Sequence, residues 1–182
     1  MKMQFEGIYG SSANSAHQGH VEGMFQAKQL IGLDRVRFSV NPHNPLKDPA
    51  VFAPYEDRLD MAQFEIDASP YNDGSIVVCD FEKRLRDRGV SNETAAMLPE
   101  FEKEFPDINP VWIMGADILA TIHTWGGEWN TIFENYPVVV LARAGDNDAL
   151  KHSVAGKAFA DRLLRNDMFS CQKGQWTWIE TT

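Results

Sequence analysis

Two histidines three residues apart, His17 and His20, close a stretch of small residues, Gly10-Ser11-Ser12-Ala13-Asn14-Ser15-Ala16, with Gly19 between them. A neutral imidazole offers one donor and one acceptor nitrogen and titrates close to neutrality, so two rings on one face can grip an anion together. The same pair also suits a fragment of a metal site, although an acidic third ligand is not obviously near. The glycine, serine and asparagine before the pair favour an anion. Such a loop leaves peptide N–H groups free, and a helix behind it adds the positive end of its dipole, which makes phosphate the natural guest.

The elements that must position this pair lie on either side. Phe5 to Tyr9 is a short apolar run that reads as a strand, and Val21, Met24, Phe25, Ala27, Leu30 and Ile31 recur at helical spacing up to Gly32. His17 and His20 thus fall on or just before a first helical turn, where residues three apart share a face. Val36, Phe38 and Val40 alternate through a second strand, Arg35 to Val40. The prolines of Asn41 to Pro49 predict a rigid loop off the carboxyl end of that strand. Ligands sit at that end of an open α/β sheet, so Lys47 is either aimed at the same phosphates or a solvated surface lysine.

Further along, Pro54 predicts a helix start, with Tyr55, Leu59, Ala62 and Ile66 as its buried stripe. Ser75 to Phe81 reads as a third strand, followed by a charged patch, Glu82 to Arg88, and a helix starting near Ser91 or Asn92. The continuous apolar run Val111 to Gly115, ending at Asp117, reads as a central parallel strand delivering Gly115 and Asp117 to a site. Asp117 also suits the N-cap of the next helix, and the two roles use different atoms. Trp125 beside Gly126 and Gly127 is either core or a flat platform for a heteroaromatic ring. Trp129, Ile132 and Phe133 are helically spaced. The stretch Tyr136 to Gly145 holds a buried strand, then Arg143 and a turn, and a helix from about Val154 to Arg165 and a strand Gln175 to Ile179 complete the pattern. Alternating strands and helices predict an α/β fold with an open parallel sheet.

A chain of 182 residues, 43% hydrophobic and 24% charged, is the size of one domain with a core of its own. Its formal charge of −9 argues against wholesale binding of nucleic acid or membrane, so any anionic substrate must be met by a local cluster of donors. Cys79 and Cys171 make no disulfide framework and read as buried thiols of a reducing compartment. The start is too poor in apolar residues for a secretory signal, and no run reaches the roughly 20 residues of a membrane span. The expectation is a cytoplasmic protein, with homo-oligomerisation left open.

Gly10-Ser11-x-x-Asn14-x-x-His17-x-Gly19-His20 after a first strand resembles the signature of nucleotidyltransferases related to class I aminoacyl-tRNA synthetases. Within them it is most similar to the bacterial nicotinate-nucleotide adenylyltransferases, and the similarity runs along nearly the whole chain. Asn44-Pro45-Leu46-Lys47 resembles a version of that family's proline-rich loop, and Met114-Gly115-Ala116-Asp117-x-Leu119 matches the stretch whose glycine and acid line its nucleotide pocket. Where the family has Tyr-Thr-x-x-Thr-Leu, with backbone that helps hold the nicotinate carboxylate, this chain has Glu93-Thr94-Ala95-Ala96-Met97-Leu98. A backbone contact from Thr94 survives those changes, and a carboxylate at Glu93 is tolerable beside an acidic ring only if it points away. The family's Arg-Pro-Gly is here Arg143-Ala144-Gly145. Ile179-Glu180-Thr181-Thr182 falls just short of where the family's Ile-Ser-x-Thr-x-x-Arg motif, which binds triphosphate, would begin, so the expectation is either a truncated chain or a protein without those phosphate donors.

The resemblance implies a Rossmann-like sheet with helices on both faces, forming a single nucleotidyltransferase domain over residues 1–182. It implies adenylyl transfer from ATP, carrying Mg2+, to nicotinate mononucleotide, with nicotinate adenine dinucleotide and pyrophosphate as products. His17 and His20 are then the catalytic pair on the ATP phosphates, with Gly10, Ser11, Ser12, Gly115 and Asp117 around the nucleotide. Asn14, Asn44, Lys47, Thr94, Trp125, Gly126 and Arg143 fall to the acceptor, with Trp125 stacked on the pyridine ring and the Gly126 N–H on its carboxylate. Two other readings stay open: nicotinamide mononucleotide or another phosphorylated acceptor on the same fold, and a diverged nucleotide-binding protein with little catalysis.

Overall fold

A computed structural model describes residues 4–42, 49–125 and 128–181. Six strands, β1 (Gln4–Ser11), β2 (Arg35–Val40), β3 (Ile76–Cys79), β4 (Ile108–Gly115), β5 (Val138–Ala142) and β6 (Trp176–Glu180), form one sheet in the order β3-β2-β1-β4-β5-β6. Every neighbouring pair is parallel. The strand order reverses between β1 and β4, which is where an open parallel sheet leaves a crevice for ligands.

Helices α1 (Gln18–Ile31) and α2 (Tyr55–Ala68) cover one face, where Val21, Met24, Ala27, Ala62 and Ile66 pack on Val36, Phe38, Val111, Ile113 and Val139. The other face carries α3 (Phe81–Asp87), α4 (Thr94–Glu104), α5 (Ala116–Thr121), α6 (Trp129–Asn135) and α8 (Val154–Ala158), whose Leu85, Leu98, Phe101, Leu119, Ile132, Phe133 and Ala155 meet Trp112, Met114, Val138 and Val140. Successive residues of β4 and β5 thus alternate between two apolar layers, which is why those strands read as unbroken hydrophobic runs. Among the described residues no helix is long and apolar enough to cross a membrane.

The first helix, the second strand and the helix after Pro54 lie where their patterns place them, and Gly32 closes α1 at φ +79°, a conformation that favours glycine. Five expectations need correction. The charged patch after the third strand is itself a helix, α3, because Phe81, Glu82 and Leu85 share a buried face while Lys83–Asp87 and Asp80–Arg84 pair four apart outside it. The third strand accordingly stops at Cys79, and the next helix begins at Thr94. Asp117 is not a cap: Gly115 takes the N-cap position and Asp117 lies in the first turn of α5. The single helix expected from Val154 to Arg165 stops at Ala158, after a separate α7 (Asn147–His152), and a 3-10 turn (Ala160–Arg162) follows. Ser153 caps α8 through the Gly156 N–H, and the buried Trp176 indole donates to the Phe159 carbonyl at 2.7 Å, an oxygen that a longer helix would need.

Candidate active site

The carboxyl ends of β1, β4 and β5 and the start of the loop after β2 open into a cavity of about 720 Å³. Eleven of the fourteen residues singled out from sequence line it: Gly10, Ser11, Ser12, Asn14, His17, His20, Thr94, Gly115, Asp117, Trp125 and Arg143. Asn44, Lys47 and Gly126 lie outside the described residues.

His17 is the N-cap of α1, and His20 sits three residues on. The Nδ1 of His20 accepts the backbone N–H of His17 at 3.2 Å, and the two ring centres are 3.9 Å apart. A nitrogen that accepts carries no proton, so the neutral His20 ring bears its hydrogen on Nε2, as a donor. Burial between Tyr9 and Phe38, with His17 alongside, pushes the His20 pKa down to about 4, which keeps the ring neutral at physiological pH. A Cβ at Gly19 would sit 3.1 Å from Cε1 and Nδ1 of His17, close enough to make that ring give by a few tenths of an ångström. His17 itself is exposed.

Around this pair the loop is tied at several points. The Ala13 N–H donates to Ser11 Oγ at 3.1 Å, while Asn14 donates to the Val51 carbonyl and accepts from the Ala53 N–H, both at 3.0 Å. Gly10 is needed because the Trp112 ring passes over it, 2.6 Å from where a Cβ would be. At β4 a side chain on Gly115 would occupy the space of the Asp117 carboxylate, so the glycine admits the acid to the cavity. The Arg143 N–H donates to Asp146 at 2.7 Å and leaves its guanidinium exposed beside the cavity. Trp125 is half-buried, and neither its indole N–H nor that of Trp112 has a partner among the described residues. Glu93 is exposed and outside the cavity wall, and Met97 is buried in the core, so neither departure from the family pattern intrudes on the site.

Two residues at the site have no chemical signature in the sequence. Glu82 is 3% exposed and lines the cavity, accepting from Ser39 Oγ at 2.8 Å and from the Asn92 side chain. Burial raises its pKa to about 7, against the pull of those two donors. Arg58, 2% exposed, lies behind the loops rather than in the cavity wall. Both stand among other charges, and the only signal available was the apolar spacing of their neighbours, which puts Glu82 on the face of Phe81 and Leu85 and Arg58 on that of Ala62 and Ile66.

Comparison with known proteins agrees with this geometry. The cytidylyltransferase-like family model matches residues 8–179. A probable nicotinate-nucleotide adenylyltransferase of Ruegeria pomeroyi is 36% identical over 180 residues, 97% of this chain and 79% of the relative. One from Agrobacterium fabrum is 34% identical over 161 residues, 88% of this chain and 81% of its own. Among solved structures, Plasmodium falciparum nicotinic acid mononucleotide adenylyltransferase complexed with NaAD superposes with a TM-score of 0.71 at 15% identity, covering 97% of this chain and 75% of its own, which shows the shared fold. From the matched span and these identities, the chain belongs to the cytidylyltransferase-like family, and within it to the nicotinate-nucleotide adenylyltransferases.

Proposed function

We propose that residues 1–182 act as one cytoplasmic nucleotidyltransferase domain that transfers the adenylyl group of ATP to nicotinate mononucleotide. An acceptor phosphate oxygen attacks the α-phosphorus in line, the bond to the bridging oxygen breaks, and pyrophosphate leaves with the electron pair. The reaction asks for alignment and charge neutralisation rather than a nucleophile from the protein. The observation that carries this reading is the His20 ring, clasped by a main-chain amide with its Nε2–H left as a donor at the head of α1, in a cavity large enough for a nucleotide.

In this reading His20 donates to the transferring phosphoryl and His17 to the neighbouring phosphates, with peptide groups of Gly10, Ser11 and Ser12 beside them. Gly115 and Asp117 contact the nucleoside. Thr94, Trp125, Arg143 and Asn14 are assigned to the acceptor, as are Asn44, Lys47 and Gly126, which lie outside the described residues. Glu93, exposed and outside the cavity wall, does not oppose an acidic pyridine there. No group of three His, Cys, Asp or Glu among the described residues could hold a metal ion. Mg2+ carried on ATP fits this donor set, since it needs one or two carboxylates besides phosphate oxygens, and Asp117 and Asp146 line the cavity. When bound it neutralises charge on the phosphates.

Pyrophosphate release measured with each mononucleotide tests the reading. Nicotinate mononucleotide is expected to be the better acceptor, and His20→Ala should lower turnover by roughly 10²–10³-fold, as for loss of one charge-stabilising donor. ATP binding without release would leave a nucleotide-binding protein, and unchanged turnover in the variant would remove His20 from the chemistry.

A further inference from the structure

Arg58 is a buried guanidinium whose hydrogen bonds among the described residues all go to main-chain carbonyls. Nη1 donates to Ser12 O at 2.6 Å and to Asn41 O at 2.8 Å, Nη2 to Pro42 O at 3.2 Å, and Nε to Ala53 O at 3.1 Å. The rings of Phe52 and Tyr55 lie 5.3 Å and 5.4 Å from its central carbon, and among the described residues no carboxylate pairs with it. A cation this deep ordinarily sits against an acid, because its lost hydration must be replaced. Here carbonyl dipoles and ring faces replace it.

The carbonyls it gathers belong to two separate loops of the site. Ser12 lies in the loop between β1 and α1, next to Ala13, which holds a left-handed φ of +48° that a residue with a Cβ seldom adopts unaided. Asn41 and Pro42 begin the loop after β2, and the Asn41 N–H in turn donates to Ser11 O at 2.8 Å. Each captured oxygen is drawn toward a cation outside the cavity wall, so these carbonyls do not present their negative ends to an anion inside it. The guanidinium charge lies behind the same loops.

We propose that Arg58 is a positioning residue for the phosphate end of the cavity: it clamps the Ser12 and Asn41–Pro42 carbonyls away from the bound triphosphate and holds the two loops in fixed relation. This rests on the functional reading above, so its test includes a measurement that needs no turnover. Arg58→Lys keeps a buried cation but replaces the planar fork with one ammonium that cannot span four carbonyls. Arg58→Gln removes the charge.

Hydrogen exchange of the substrate-free protein is expected to rise roughly tenfold in Arg58→Lys for peptides covering Ser11–His17 and Asn41–Pro42, as for loss of one charged hydrogen bond. Peptides from β4 and β5 should keep their protection. In kinetics, both variants should raise the KM for ATP by roughly tenfold or more, with Arg58→Lys the milder, while the KM for the acceptor moves less. Site-loop exchange unchanged in Arg58→Lys would overturn the proposal. So would an unchanged KM for ATP with kcat falling only in proportion to folded protein, because that is the pattern of a purely structural arginine. Wild-type protein without adenylyl transfer would sink the functional reading and leave the clamp to be judged by exchange alone.

Discussion

Glu82 holds its proton to a higher pH than a free carboxyl because burial denies its charge water, and the two donors from Ser39 and Asn92 recover only part of that loss. An acid raised from 4.5 to about 7 on folding binds more protons folded than unfolded across that window. Its contribution to stability is therefore full below about pH 4.5 and declines as pH rises to about 7. His20 acts in the opposite sense, with a folded pKa near 4 that removes stability as pH falls below 6.5. Glu82→Gln should therefore gain on the wild type between pH 5 and pH 8, a difference that urea denaturation at the two pH values measures. A constant difference would mean that Glu82 is already ionised in the folded state. The histidine pair was legible in sequence because its spacing and flanking small residues are rare together. Glu82 and Arg58 were not: a buried charge looks like a solvated one until the fold shows which face it occupies.

At the level of elements, the loop after β1 depends on how closely β1 and β4 approach. Ile8 faces Trp112 across the pair, and the far edge of the Trp112 indole then lies over Gly10. The ring is rigid, so a methyl at position 10 cannot be accommodated by rotating a flexible chain end. Gly10→Ala should cost about 1–3 kcal/mol as overpacking, lowering Tm by about 2–4 °C for each kcal/mol at this chain length, as read by calorimetry. An unchanged Tm would show that the indole moves freely. Strands β2, β4 and β5 and helix α1 were legible because their apolar periods are unbroken, with Gly115 ending β4 and Gly32 closing α1. Helix α3 was hidden by its charge, since seven residues with two apolar positions give too little periodicity. The break after Ala158 was hidden because its cause, the Trp176 indole, comes from a strand far along the chain.

For the whole molecule, alternating strands and helices foretold a parallel sheet but not its strand order, which depends on which crossovers the helices allow. That order sends the ends of β1, β4 and β5 to one rim, and the N-termini of α1 and α4 arrive there with His17 and Thr94. The rim is thus lined with amide dipole ends, while the chain as a whole carries −9. An approaching nucleotide meets two fields of opposite sign, a diffuse repulsion from the molecule at large and a short-ranged pull once inside. Dissolved ions weaken the first far more than the second. Raising salt from roughly 20 to 200 mM shortens the screening length from about 20 Å to under about 10 Å, so capture of ATP, read as kcat/KM, should hold or rise where a basic enzyme would lose it. A steep fall would mean that the attraction extends well beyond the rim.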